Sequence, residues 1–189
     1  DHAQRAARAA LELLRVTDAL AAAQAGWPRF RVGVNTGEVT VGVLGTVGGR
    51  TYTVIGDAVN LASRLEGITK EYGADIIVGE DTMKAVPDVV FREIDRVRVK
   101  GKDTAVAIFE PLGLEGHVDQ ARLDEAARFG EALRLYRNQE WDMAEQRLLE
   151  LRGLYPDAAL YETFLERLGF LRANPPGAGW DGSFTFQTK

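Results

Sequence analysis

The chain has 189 residues, 46% of them apolar, which is enough for one medium domain, or one domain plus a small appendage, with a buried core. Its 28 acidic and 23 basic residues leave a net charge of −5 and no basic block, which argues against nucleic acid as a partner. Cysteine is absent, so disulfides and thiolate metal sites are excluded, and only His2 and His117 could supply imidazole.

No apolar run approaches the roughly 20 residues that span a bilayer, and no signal peptide opens the chain. This segment is therefore expected to contact no membrane and to work in the cytoplasm, with any membrane anchor lying upstream. The chain begins at Asp1 rather than methionine, directly before a helical pattern, and reads as the cut end of a longer protein.

Residues 3–25 carry Leu11, Leu14 and Leu20 at helical spacing among alanines, with arginines on the other side, and the pattern ends near Gly26 and Pro28. From Phe30 the sequence alternates through Val32 and Val34, turns at Asn35-Thr36-Gly37-Glu38 and alternates again through Val39, Val41 and Val43, which predicts a β-hairpin. Glycines cluster at Gly42, Gly45, Gly48 and Gly49. Residues 51–55 then predict a strand that runs into Gly56-Asp57, with Asp57 as the N-cap of a helix over 58–72 closed by Gly73.

Further on, 76–78 predicts a short buried strand, 81–85 a helical turn, and 91–99 and 105–109 two strands joined at Lys100-Gly101-Lys102. Beyond Gly113 the period becomes helical through Phe129, Ala132, Leu133 and Tyr136, then Trp141, Ala144, Leu148 and Leu149, then Tyr161, Phe164 and Leu168. An all-helical appendage is expected over 113–173. Residues 174–189 predict an extended segment that packs if Trp180, Phe184 or Phe186 finds a groove.

Three stretches carry the chemistry: Arg31-Val32-Gly33-Val34-Asn35-Thr36-Gly37, then Gly42-Val43-Leu44-Gly45-Thr46, then residues 50–66 from Arg50-Thr51-Tyr52-Thr53 to Ser63-Arg64-Leu65-Glu66. Together they closely resemble the class III adenylate and guanylate cyclases. The resemblance covers the C-terminal part of that catalytic domain, residues 1–112, and the helical tail resembles the TPR-like units that follow some bacterial cyclase domains. Val43 departs from it, because many members carry a polar residue there.

The resemblance implies an α+β, ferredoxin-like nucleotidyl cyclase fold with its N-terminal part missing. It implies conversion of ATP to 3′,5′-cyclic AMP and pyrophosphate in signal transduction, by attack of the ribose 3′ oxygen on the α-phosphate. Such chemistry needs divalent metal, cationic or amide groups at the phosphorus, and a pocket for the base. It further implies a homodimer whose active sites form between subunits. Mg²⁺ or Mn²⁺ would be the cofactor, held by aspartates upstream of Asp1; Asp57 is better explained as an N-cap, Asp75, Asp81 and Asp95 are expected at strand or turn edges without a matching second carboxylate, and no metal ligand is assigned within this chain.

By the same resemblance Asn60 and Arg64 form the transition-state pair, Asn60 orienting the ribose and Arg64 stabilising negative charge on the α-phosphate. Their i, i+4 spacing puts them on one helix face. Without the resemblance, Asn60, Arg64, Gly67 and Glu71 would read as the solvated face of an amphipathic helix. Thr53 falls where the family contacts the purine edge and resembles the adenylate-specific subgroup; it is otherwise an ordinary strand threonine. Lys100 resembles the residue that holds the terminal phosphates, with Lys102 as fallback and an exposed turn lysine as the alternative reading.

Two other readings stay open. The chain could be a catalytically dead cyclase-like module that binds nucleotide and dimerises, or the helical tail could be the working part on a cyclase scaffold.

Overall fold

A computed structural model describes residues 1–46, 48–98 and 104–185. In chain order its elements are α1 (His2–Ala23), β1 (Val32–Val34), β2 (Thr40–Thr46), β3 (Gly49–Ile55), α2 (Asp57–Tyr72), β4 (Ile76–Gly79), α3 (Glu80–Lys84), β5 (Val89–Arg98), β6 (Val106–Leu114), α4 (Gln120–Arg137), α5 (Trp141–Leu154), α6 (Ala159–Ala173) and β7 (Phe184–Thr185). This is the mixed α+β fold expected from the sequence, with helices in the C-terminal part.

Five strands form one sheet in the order β1-β4-β6-β5-β7, while β2 and β3 form a separate two-stranded ribbon. Because side chains alternate between the faces of a strand, Ile76 and Val78 of β4 face α1, whereas Ile77 between them faces the opposite core. That opposite core joins Leu61 and Leu65 of α2 to Phe129, Tyr136, Tyr161 and Phe164 of the C-terminal helices. The sheet is thus covered on one face by α1 and on the other by α2 together with the helical tail. Phe164 meets the rings of Phe129 and Tyr136 edge-on, at centroid distances of 5.5 and 5.0 Å. Each such fully buried side chain contributes about 1.5–3 kcal/mol, with the edge-to-face geometry adding to it.

The first predicted hairpin is not formed. β1 pairs in parallel with β4, Val32 opposite Ile76, and β2 pairs instead with β3. The cause lies in the intervening loop, which is drawn onto neighbouring helices rather than onto itself: the Asn35 side-chain amide donates to the Ala58 carbonyl at 3.2 Å, and the Thr36 and Thr82 hydroxyls share a hydrogen bond of 2.9 Å. Strand β1 is apolar at both valines because it lies in the sheet between helices, as parallel strands do.

Four further expectations need correction. Asp57 is not the N-cap: Gly56 occupies that position without a side-chain bond, and Asp57 is the first helical residue, where its charge complements the positive end of the helix dipole. In α1 the buried face is Ala3, Ala7 and Ala10, while Leu20 is exposed, because small residues let the helix approach the sheet closely. Strand β6 continues through Pro111 to Leu114; Pro111 sits opposite Phe91 at a register shift, where a missing N–H costs little. Asp95, expected at a strand edge, is fully buried within β5.

The C-terminal segment finds its groove. Trp180 packs against Tyr136 and Trp141 at centroid distances of 5.4 and 5.8 Å, and β7 extends the sheet by pairing Phe184 with Val97. Phe186 lies outside the described residues.

Candidate functional site

Helix α2 follows β3 after the single residue Gly56 and is fixed to its surroundings at three places. At its N-terminal end Asn35 donates to the Ala58 carbonyl. In its middle it lies directly on β1, where a Cβ on Gly33 would stand 2.2 Å from the Ala62 oxygen and 2.4 Å from the Glu66 nitrogen, so only glycine fits. At its C-terminal end Gly73 closes the helix in the left-handed conformation with φ 63°, where a Cβ would be 3.0 Å from Ala159.

The turn that rests on Gly33 carries Arg64, and Asn60 precedes it by one turn. Asn60 is exposed and Arg64 half-buried. Among the described residues neither side chain has a hydrogen-bond or ion-pair partner, although nearby polar groups do: Glu66 pairs with Arg31 at 3.5 Å, and the Thr69 hydroxyl donates to the Glu66 carbonyl at 2.7 Å. An amide and a guanidinium left uncommitted on adjacent turns can together grip a hydroxyl and an anionic oxygen.

Thr53 sits in β3 opposite Gly42, half-buried, three residues before the glycine that leads into α2. The ribbon holding it is apolar yet open to solvent: Val41, Val43 and Tyr52 are 49%, 59% and 76% exposed. An apolar strand pair this open is the kind of surface that subunits cover. Lys100 and Lys102 lie outside the described residues, so the geometry reached here comprises Thr53, Asn60 and Arg64.

Among the described residues no three of His, Cys, Asp and Glu gather so as to hold a metal ion. A cavity of about 600 Å³ does open elsewhere, beside the N-terminal end of α2, lined by Glu38, Asp57, Glu80 and Asp81 with Asn35 and Thr36. Four carboxylates would repel a nucleotide's phosphates. Neither Asn60 nor Arg64 is among the residues that line this cavity.

Pattern reading missed two buried charge networks. In the first, Arg167 of α6 donates to the Asp95 carboxylate at 2.6 Å and to the Tyr72 hydroxyl at 3.2 Å, while Tyr72 donates to Asp95 at 2.6 Å. Burial pushes the Asp95 carboxyl up, against the pull of Arg167, Tyr72 and the Arg96 amide, and burial with the Asp95 charge pushes the Tyr72 phenol up as well. In the second, Arg92 donates to Glu110 at 3.0 Å and to Glu125 at 2.9 Å, and the Tyr161 hydroxyl donates to Glu125. Nothing in the spacing of 72, 95 and 167 pairs them; the one available signal was the presence of Asp95 and Arg167 inside otherwise apolar patterns.

A family profile described as the adenylate and guanylate cyclase catalytic domain matches residues 1–109. This chain belongs to that family. The chain is 37% identical over 131 residues to adenylate cyclase 1 of Rhizobium meliloti (strain 1021), covering 67% of this chain and 20% of that protein. It is 41% identical over 116 residues to an adenylate cyclase of Anabaena cylindrica, covering 58% of this chain and 23% of the relative. It therefore spans about a fifth of the length of these relatives. Among solved structures, the guanylyl cyclase Cya2 matches with a TM-score of 0.50 and 28% identity over 62% of this chain and 61% of that one. A bacterial light-regulated adenylyl cyclase shares the fold at a TM-score of 0.52 with 21% identity, covering 64% of this chain and 36% of the other.

Proposed function

We propose that this cyclase chain is the half of an adenylate cyclase that supplies the transition-state and base-reading groups, with 1–112 the catalytic part, 113–173 a helical tail and 174–189 a C-terminal segment. ATP is the substrate, and cyclic AMP and pyrophosphate are the products, made in the cytoplasm for signalling. The observation that carries this reading is the uncommitted pair on α2: Asn60 and Arg64 have no structural partner among the described residues in a chain whose family makes cyclic nucleotides.

In the reaction the ribose 3′ oxygen forms a bond to the α-phosphorus, its proton departs to a base or solvent, and the bond to the pyrophosphate oxygen breaks. Asn60 would hold the ribose so that its 3′ oxygen faces the phosphorus, a positioning effect. Arg64, always charged, would donate to the α-phosphate oxygens as their negative charge grows. Thr53 would present its hydroxyl to the adenine edge, and Lys100 would hold the terminal phosphates. Adenylate over guanylate rests on Thr53 and on the names of the relatives.

The described residues do not provide a carboxylate set for Mg²⁺ or Mn²⁺. The metal carboxylates are assigned to residues upstream of Asp1, facing Asn60 and Arg64 of a second copy across a homodimer, with the open apolar ribbon at Val41, Val43 and Tyr52 as part of the contact. The alternative is a module that binds nucleotide and dimerises without turnover.

Complementation separates the two. The protein as encoded, including residues preceding Asp1, is inactivated by Asn60→Ala with Arg64→Ala and then titrated with this 189-residue chain in ATP and Mn²⁺. Cyclic AMP formation should reappear as the heterodimer forms, measured by sedimentation, while this chain alone gives none above background. Heterodimer without recovered activity would count against the shared-site reading.

A further inference from the structure

Helix α6 touches α2 at its C-terminal end. Ala159 abuts Gly73, the Thr163 hydroxyl donates to the Glu71 carbonyl at 2.7 Å, and Arg167 donates to the Tyr72 hydroxyl. The same guanidinium is held in place from the other side: its carbon lies 3.8 Å from the centre of the Phe184 ring in β7 and 5.3 Å from that of Phe164, and its charge is met by Asp95 of β5. Arg167 thus joins four elements, α2, β5, α6 and β7, at one buried point.

We infer that Arg167 is a positioning residue for α2: through Tyr72 the tail fixes how that helix presents Asn60 and Arg64. This inference rests on the reading of α2 as the catalytic helix. The physical case is one of leverage. Helix α2 is a continuous helix of 16 residues, its middle rests on Gly33, and its N-terminal and C-terminal ends are tied by Asn35 and by α6. Releasing the α6 tie lets the helix tilt about Gly33, and a tilt at Tyr72 displaces Asn60 in the opposite sense. Catalysis is sensitive to such motion, since a displacement of about 1 Å can cost about 10²-fold in rate. The Tyr72 phenol makes a better link than an aliphatic side chain because it donates to Asp95 while accepting from Arg167, so it has one allowed orientation.

The second buried arginine provides the control. Arg92 also ties the tail to the sheet, through Glu110, Glu125 and Tyr161, but none of these partners is on α2. A merely structural role would make the two arginines equivalent.

The test uses the protein as encoded, comparing Arg167→Met, Thr163→Val, Tyr72→Phe and Arg92→Met at a temperature where circular dichroism shows each folded. Two readouts are taken: steady-state cyclic AMP formation, and amide hydrogen exchange across residues 57–72. Arg167→Met should lower kcat roughly 10-fold or more with KM for ATP little changed, and should speed exchange at the amides of 60–64. Thr163→Val and Tyr72→Phe should do the same to a smaller degree, and they carry the comparison if Arg167→Met fails to fold. Arg92→Met should lower the melting temperature without either effect. Equal kcat losses for Arg167→Met and Arg92→Met, or unchanged α2 exchange in Arg167→Met, would overturn the inference. Selective exchange in α2 with no cyclic AMP made even by the wild type would leave the tie to the tail standing and remove the cyclase reading.

Discussion

Arg167 and Asp95, separated by 72 positions in sequence, meet in a salt bridge of 2.6 Å whose side chains are 8% and 0% exposed. A charge pair this deep is stabilised by its own geometry and by added hydrogen bonds, here from the Tyr72 hydroxyl and the Arg96 amide. The consequence is an asymmetry between breaking the pair and replacing it.

Arg167→Leu alone should destabilise the chain by about 3–5 kcal/mol, because Asp95 is left buried and uncompensated. Arg167→Leu combined with Asp95→Leu should recover part of that loss, since no buried charge is left uncompensated, while the Tyr72 hydroxyl, which loses both of these partners, retains a smaller cost. Urea denaturation of the two variants, read as a shift in midpoint, checks this. Additive losses would mean that the two side chains act independently.

At the candidate site the expectation is the reverse, a large kinetic effect with little change in stability. Arg64→Ala in the protein as encoded should lower the cyclic AMP formation rate by about 10²-fold, the typical loss when one donor to transition-state charge is removed. Its melting temperature should hardly move, because among the described residues Arg64 has no partner to lose. Retained rate with a collapsed melting temperature would make Arg64 a structural residue.

Acid should undock the C-terminal segment. Burial pulls the Asp181 carboxyl up, but the Ser183 hydroxyl and amide and the Arg98 guanidinium outweigh it and hold its pKa below the ordinary carboxylate value. A depressed acid stabilises the folded form above its unfolded pKa of about 4 and loses that contribution as pH falls through the lower folded value. Docking of Trp180, whose indole N–H donates to the Ser183 carbonyl at 3.1 Å, should therefore be constant from pH 7 to about 5 and weaken below about 4. The indole N–H resonance of Trp180 reports this directly. Asp181→Asn should show weaker docking at neutral pH that no longer responds to acid in that window; an unchanged acid profile would place the switch in another group.

Much was readable because it is local. The helix over α2 follows from its period and from Gly73, and the motif on it follows from consecutive residues whose spacing the helix itself converts into one face. Strands such as Ile76–Gly79 announced themselves by unbroken burial-type residues. The failed hairpin shows the limit: alternation at Val32 and Val34 was read correctly as strand, but the partner was chosen by proximity in sequence, whereas Asn35 and Thr36 commit the loop to α2 and α3.

Local order alone therefore determined the family, the element types and the face of α2 that carries Asn60 and Arg64, because these depend on residues within one or two turns of each other. Only the tertiary structure decided that α4–α6 share a core with the sheet instead of standing apart, and that Tyr72, Asp95 and Arg167 form one buried junction. Apolar periodicity marks the face of a helix that will be buried but not what will cover it, and a charged residue inside such a pattern finds its counter-charge by folding, across whatever stretch of chain the topology brings back.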